Sequence, residues 1–378
     1  MKLVCDKAQL TEIINTVQRA ISYKTTNFPI LECIKIDADG SGRVVFTGCN
    51  IGLRIEYSTD CTVTEGGSIA LGSRMFGDIV RRMPDGNVSI SVNLSNNVTT
   101  IKSGNSKFNI QGITTEEYIA APTLNEKFRF TLTQASLRKI IRKTIAFVSQ
   151  NEGKKPVLTG TLFEIKNNVL TLVSSDGHRI ALVKEEIKET VEDSSFVVPG
   201  QTQRELLKIL KEEEDKVTII VSDRNVLFDF GNYQVYSGLV DGEFLKYNSI
   251  VSVSNKINLV VEKKNIVDSL ERALLLINED ISAKSENKVP VRFNIGYDKI
   301  ELSCITGKGQ VSDTVPVDMN EGELLIGFNC RFLLDALSTC DEEKIRMEFS
   351  APTSGCFIRS TSGDDSYVYM ILPVRLYN

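Results

Sequence analysis

The chain has 378 residues, 42% of them hydrophobic and 25% charged, with a formal net charge of −5. That length excludes one ordinary core and implies two to four domains of roughly 100–200 residues each, and the composition is that of a folded globular protein rather than a disordered one. A net negative charge argues against a chain that coats nucleic acid with its whole surface, but it leaves room for a basic patch on an acidic body.

The N-terminus, MKLVCDKAQL, lacks the apolar core of a signal peptide, and no apolar run approaches the roughly 20 residues that span a membrane. A cytoplasmic location with no membrane partner is the expectation. Cys5, Cys33, Cys49, Cys61, Cys304, Cys330, Cys340 and Cys356 are spread unevenly and form no CxxC pair. They are expected to be reduced thiols that serve as small core hydrophobes.

Taken in chain order, the predicted elements recur. A helical pattern begins near Asp6 after a short strand, with Leu10 as its first apolar anchor. A second helix follows the strand-and-turn at 71–80, and an alternating strand starts at Val88. Turn signals within this stretch are Asp39-Gly40, Gly66-Gly67, Asp85-Gly86 and Asn96-Asn97. The same series reappears with a helix near Thr133 (anchor Leu137), a turn and helix at 198–207 and a strand at Val217. It appears again with a helix near Glu262 (anchor Ile266), a turn and helix at 326–337 and a strand at Ile345. The strand starts lie 129 and 128 residues apart and the helix anchors 127 and 129 apart, so two independent landmarks share one period. Polar linkers near 122–126 and 251–256 divide the chain into domains at 1–122, 127–250 and 256–378. The period alone does not choose among ring, solenoid and beads. Each unit is rich enough in strands to hold its own core, which favours three α+β domains side by side with sheets continuing across the joints.

The helices carry an asymmetry of charge. Leu137, Ile140, Ile141, Ile145 and Val148 share one stripe at helical spacing, with Arg138, Lys139, Arg142 and Lys143 expected on the opposite face. The stretch 134–148 has four positive charges and no negative one. Arg204, Lys208 and Lys211 repeat the pattern on the next helix, and Lys263, Lys264 and Arg272 on the one after. A solvated face accounts for any one of these helices. The same bias in equivalent helices favours a surface that meets phosphates without reading bases. Motifs that read bases are absent.

Catalysis finds little support. Ser174-Ser175-Asp176-Gly177-His178-Arg179 holds every letter of a Ser/His/Asp triad, but a triad is a matter of spatial placement, and Asp-Gly after an apolar strand reads as a turn. A hydrolase using Asp176, His178 and a nearby Ser stays open as the enzymatic alternative. A monomeric scaffold that binds only proteins is the other. A single His and unclustered Cys make a zinc site improbable, the acidic run 212–215 reads as a solvated helix end, and no Walker or GxGxxG loop exists, so no metal or cofactor is expected.

The run Ser175-Asp176-Gly177-His178-Arg179-Ile180-Ala181 resembles the (T/S)DGHR(L/I)A signature of the bacterial sliding clamps, the beta subunits of the replicative DNA polymerase III holoenzyme. The closing Met370-Ile371-Leu372-Pro373-Val374-Arg375-Leu376 resembles the M/L-P-x-R-L end of the same family. Phe28-Pro29-Ile30-Leu31, the run 239–244 and Ile326-Gly327-Phe328-Asn329 follow in family order, so the likeness covers essentially the whole chain.

The resemblance implies a non-enzymatic processivity factor: a head-to-tail homodimeric ring around duplex DNA, helices lining the hole and sheets outside. A clamp loader opens it, and it tethers the replicative polymerase and other proteins bearing clamp-binding motifs. It implies a peptide pocket between the second and third domains from Lys155, Leu158, Ser175, Gly177, His178, Arg179, Ile180, Leu245, Ile250, Asn329, Phe332 and Met370, Ile371, Leu372, Pro373, Val374, Arg375 and Leu376. In that pocket His178 and Arg179 are expected as polar handles. The DNA-facing set is Lys24, Arg74, Arg138, Lys139, Arg142, Lys143, Arg204, Lys208, Lys263, Lys264 and Arg331. The dimer joint pairs an edge strand near Lys107 and Phe108 with a helix near Leu275 and Leu276. The chain departs from the family pattern at Leu245, where a Pro is usual, at Lys155, where Arg is common, and at Tyr377 and Asn378, which extend past the usual end.

Overall fold

A computed structural model describes residues 1–23, 28–151, 153, 155–252, 255–279, 289–319, 322–363 and 366–376. One order of elements runs through them three times. The first pass is β1 (Lys2–Asp6), α1 (Lys7–Val17), β2 (Cys33–Ala38), β3 (Arg43–Cys49), β4 (Leu53–Asp60), β5 (Thr62–Glu65), β6 (Gly67–Gly72), α2 (Ser73–Arg82), β7 (Asn87–Asn93), β8 (Val98–Ser103) and β9 (Ser106–Gln111). The second is β10 (Phe128–Thr133), α3 (Gln134–Thr144), β11 (Gly160–Lys166), β12 (Val169–Ser175), β13 (Arg179–Glu186), β14 (Ser194–Pro199), α4 (Gly200–Ile209), β15 (Lys216–Val221), β16 (Asn225–Asp229), β17 (Tyr233–Gly238) and the short α5 (Asn248–Val251). The third is β18 (Ile257–Glu262), α6 (Lys263–Glu279), β19 (Val291–Ile295), β20 (Lys299–Thr306), β21 (Gly309–Met319), β22 (Leu324–Phe328), α7 (Cys330–Thr339), β23 (Lys344–Phe349), β24 (Cys356–Ser360) and β25 (Tyr367–Ile371).

The chain divides into two compact units, residues 1–135 with 204–239 and residues 136–203 with 240–378. The first unit holds a five-stranded sheet, β5-β1-β7-β8-β9, and an eight-stranded sheet, β10-β15-β16-β17-β4-β3-β2-β6. The second holds a twelve-stranded sheet, β14-β11-β12-β13-β25-β24-β23-β18-β21-β20-β19-β22. The middle pass is therefore shared: β10 and β15–β17 join strands of the first pass, and β11–β14 join strands of the third. All of the strand pairs are antiparallel.

The helices follow from spacing and caps. In α1, Leu10, Ile13, Ile14 and Val17 are fully buried, and Asp6 caps the helix by accepting from the amides of Ala8 (2.9 Å) and Gln9 (3.1 Å). This face lies on β3 and β4, and α1 packs beside α2. In the second unit α6 buries Ile266, Leu270 and Ala273 and packs beside α7. The α7 helix is capped at its start by the Asn329 side chain, which accepts from the Arg331 amide (2.9 Å), and at its end by the Lys263 ammonium, which donates to the Cys340 carbonyl (2.7 Å). No helix among the described residues is long and apolar enough to cross a membrane.

One expectation about the cysteines is corrected. Cys5 and Cys61 form a disulfide, with Cα atoms 5.3 Å apart. The antiparallel pairing of β1 with β5 sets Val4 against Thr62 and so brings Cys5 to Cys61, a proximity across 56 residues that their positions along the chain do not reveal. The other six are free and buried, as small hydrophobes would be. Burial pushes the Cys330 thiol up to about 12.

The end of α1 meets β3 at Gly48, where a Cβ would stand 2.1 Å from the Val17 carbonyl oxygen. Only a residue without a side chain permits this approach. Gly48→Ala is expected to cost about 1–3 kcal/mol by forcing the helix end off the sheet, read as a lower denaturation midpoint. An unchanged midpoint would mean that α1 moves without penalty.

Candidate functional site

The site begins with a turn. Between β12 and β13, Asp176 accepts through Oδ1 from the amides of His178 (2.9 Å) and Arg179 (3.1 Å), and Gly177 takes a positive φ of 91°. This is the Asx-turn that an Asp-Gly pair favours. The first pass has the same device: Asn50 Oδ1 accepts from Gly52 and Leu53, each at 2.9 Å. Asn50 also donates to the Ala20 carbonyl (2.7 Å), just after α1, and Arg179 donates to the Ala146 carbonyl (2.6 Å), just after α3. The repeat thus extends to individual hydrogen bonds that the dissimilar letters conceal.

Arg179 ties the site together. Its guanidinium also donates to Asp176 (2.9 Å) and Asp335 of α7 (2.7 Å), and it stacks over Phe332 (4.3 Å) and Phe147 (4.9 Å). At 7% exposure it is a buried brace, so the expected polar handle is corrected to a positioning residue. His178 stays exposed, its ring 6.3 Å from that of Phe332. Its carbonyl accepts from the Leu372 amide (2.9 Å), which prolongs the β13–β25 ladder by one residue. Ser175 is buried and its hydroxyl accepts from the Gly177 amide (3.1 Å), while Ser174 pairs with Thr161. Asp176 is engaged by two amides and Arg179, and among the described residues the hydroxyls of Ser174 and Ser175 are bonded to Thr161 and the Gly177 amide rather than to the His178 ring, which is not the arrangement of a triad.

Beyond the turn lies an apolar cluster. Leu158, Ile180 and Met370 are buried in it with Val157, Tyr247 and Val368, and Leu245 and Ile250 pack against it half-buried. A cleft of about 270 Å³ opens above, lined by Lys155, Pro156, Val157, Leu158, Gly242 and Leu245 among others. Leu245 therefore keeps an apolar wall where Pro is usual, and Lys155 stands exposed at the rim. The end of the chain separates by face. Ile371 is fully buried, Leu372 and Arg375 are exposed, and Pro373 is half-buried. Val374 donates to the Gly327 carbonyl (2.8 Å), and Leu376 packs against Gly327, away from the cluster. Asn329 serves as the α7 cap. Tyr377 and Asn378 lie outside the described residues. Sequence reasoning missed Val157, Tyr247 and Val368, although Val368 sits two residues from Met370 on the same face of β25, a period-two signal that was available.

The cations divide as well. Arg74 (over the Tyr23 ring at 4.0 Å), Lys139, Arg142, Arg204, Lys208, Lys264 and Arg331 are exposed, and Arg138 is half-exposed. Several hold local partners: Arg142 with Asp341 (2.6 Å), Lys208 with Glu205 (2.7 Å), Lys264 with Asp268, and Arg331 with Asn278 (2.6 Å). Lys143 is a correction. It is 4% exposed, 2.8 Å from Asp341 and over the Tyr367 ring at 4.8 Å. Its place on the helix turns it toward the α7 end rather than the solvent. Burial raises the Asp341 carboxyl, but the hydrogen bonds from Lys143 and Arg142 outweigh this and hold it below the usual range. Lys24 lies outside the described residues. Lys107 and Phe108 are exposed on β9, the edge of the five-stranded sheet, and Leu275 is 67% exposed on α6, with Leu276 half-buried beside it. Among the described residues no group of three His, Cys, Asp or Glu side chains could hold a metal ion.

Family models for the DNA polymerase III beta subunit match three times in order: the N-terminal domain over residues 1–122, the central domain over 131–246 and the C-terminal domain over 249–375. The chain belongs to the bacterial beta sliding clamp family. It is 35% identical to the beta sliding clamp of Halalkalibacterium halodurans and 33% identical to that of Bacillus subtilis, each over 100% of both chains. Among solved structures it is similar to a putative DNA polymerase III beta subunit from Eubacterium rectale (TM-score 0.93, 34% identity) and to the Bacillus subtilis sliding clamp (TM-score 0.93, 31% identity), covering 100% of each. The chain is a processivity factor, an accessory subunit without catalysis of its own.

The brace makes a test. Arg179→Ala would leave the Ala146 carbonyl and Asp335 without their partner and remove the stacking on Phe332. A loss of about 2–3 kcal/mol in stability is expected from an unpaired buried group beside a half-exposed carboxylate. Denaturant titration checks it; loss of partner binding with stability intact would return Arg179 to the role of a handle.

Proposed function

We propose that the chain forms one half of a closed, head-to-tail homodimeric ring that encircles duplex DNA in the cytoplasm without reading its sequence. A clamp loader opens the ring, and the replicative polymerase and other partners hold it by short peptides docked in the Leu158–Ile180–Met370 cleft. The reading rests chiefly on the ordered match of all three beta-subunit domain models along the chain. It takes the three domains as 1–122, 127–250 and 256–378, and it needs no metal or cofactor.

The docking residues in this reading are Lys155, Leu158, Ile180, Leu245, Ile250, Met370 and Leu372, with His178 and Phe332 at the margin. Ser175, Gly177 and Arg179 shape the turn beneath them. The DNA-facing residues are Arg74, Arg138, Lys139, Arg142, Arg204, Lys208, Lys263, Lys264 and Arg331. Lys263, half-buried on the α7 carbonyl, contributes field rather than direct contact. Phosphate contacts of this kind weaken steeply with salt, so enclosure and not affinity must keep the ring on DNA. A head-to-tail joint avoids open filaments only if its rotation closes. The outer edge of β9 and the exposed Leu275 supply a strand edge and an apolar knob for that joint.

The decisive measurement is topological. Loaded on nicked circular DNA and washed in high salt, the protein should remain bound, and linearising the circle should release it. Retention on linear DNA in high salt would overturn the reading. Reversing Arg138, Lys139 and Arg142 to Glu together should reduce the loaded fraction at least tenfold on the order of three lost phosphate contacts, with the dimer intact by ultracentrifugation.

The joint has its own check. Leu275→Asp should shift the protein toward monomer at micromolar concentration, since it sets a charge in a surface that must be desolvated. A dimer as tight as the unaltered one would place the joint elsewhere.

A further inference from the structure

The apolar cluster that supports the cleft grades into charge along a single sheet face. Ile180 lies opposite Met370, and Met370 opposite Phe357. Two residues further along, Leu162, Val173, Leu182 and Val368 form the next row. Two more bring Glu164, Thr171 and Lys184 into line. Strands rise about 3.3 Å per residue, so the face turns from an uncharged row, apolar but for the buried Ser175, to a charged one within about 13 Å. There a cavity of about 390 Å³ opens, bordered by Lys166, Lys184 and Arg359 and floored by Leu182, Val368 and Tyr247. The floor residues belong to the cluster under the cleft. The cavity and the cleft thus rest on one apolar cluster, with separate linings.

Its charge is one-sided. Lys166 lies 2.9 Å from Glu164, which also accepts from the Tyr247 hydroxyl. Glu348 is shared by Arg346 (3.0 Å) and Arg359 (3.3 Å). Among the lining residues one carboxylate, Glu164, thus meets three cations, Lys166, Lys184 and Arg359, and Lys184 is the exposed one with no carboxylate partner among the described residues. Burial pushes the Tyr247 phenol up, and the bond to Glu164 adds to this, so the hydroxyl stays a donor and brings no negative charge.

We propose that this basic annex is a specificity site: it takes the carboxylate of an Asp or Glu side chain that flanks the apolar anchors of a docked partner peptide. The inference rests on the reading of the cleft as a peptide site. A peptide anchored over Ile180 and Met370 reaches Lys184 in about two to four extended residues. A carboxylate there meets a surplus of positive charge in a walled recess, where the field is focused, while a neutral side chain gains nothing. The annex therefore selects among peptides whose anchors are equally good.

The test uses the full-length protein and fluorescein-labelled peptides with a central Leu-Phe pair among Ser, Gln and Asn. The neutral parent reports on the cleft. A single Glu is then moved through the four positions on each side of the pair. In the unaltered protein one or two adjacent positions should bind about threefold to tenfold tighter than the parent, and the gain should fade with added salt. Lys184→Gln should lose that gain while still binding the parent. Lys184→Glu should instead favour a peptide with Lys at the same position, a reversal that a merely structural role for Lys184 would not produce. Failure of the parent to bind would overturn the cleft and the annex with it. A parent that binds, with no position gaining from Glu, or with the gain unaltered in both variants, would overturn the annex alone.

Discussion

Main-chain pairing between successive passes of the fold is the constraint on which everything else depends. β17 runs antiparallel to β4, from Tyr233 opposite Tyr57 to Ser237 opposite Leu53. β13 runs antiparallel to β25, from Arg179 opposite Ile371 to Val183 opposite Tyr367. Without those ladders, four strands would present unpaired edges to solvent. The middle pass feeds one ladder with each of its two groups of strands. That is why its residues are divided between two compact units, while the first and third passes each fall whole into one.

The second ladder also creates the site. Register sets Ile180 beside Met370, so two strands far apart in sequence supply one apolar floor. It sets the Asx-turn beside the end of β25, where the Leu372 amide finds the His178 carbonyl. Arg179 then draws α7 onto the turn through Asp335 and Phe332. A buried guanidinium is costly unless its donors are satisfied, and here two carboxylates and a carbonyl satisfy them. The cleft is therefore held by a rigid frame, and a docking segment meets a wall already in place.

Much of this was legible in the letters. The helices begin at Lys7, Gln134 and Lys263, each one residue past the start that apolar spacing after a strand marks, because the buried stripe is written in the local sequence. The apolar cluster around Leu158, Ile180 and Met370 was legible through family motifs. What escaped was set by contacts distant in sequence. Lys143 belongs to a run of four cations that looks uniform, and only its contact with Asp341 shows that it is buried. Arg179 has the type of a ligand-binding residue, and only Asp335 and Ala146 reveal it as a brace. Cys5 and Cys61 become partners through a strand pairing that no spacing announces.

The matching turns at Asn50 and Asp176 carry a consequence for how such a chain can change over time. Both passes hold the turn by backbone amides and send one donor to a carbonyl after the preceding helix, yet Leu53 stands where Arg179 stands in the second copy. A joint that needs one short Asn or Asp side chain, one long-range donor and otherwise main-chain groups places few demands on the remaining side chains. Each copy is then free to drift in sequence while the architecture stays constant, and one joint can acquire a recognition surface without its counterpart doing so. The poor similarity of the copies is the expected signature of a repeat whose connections rest on few side chains and many main-chain groups.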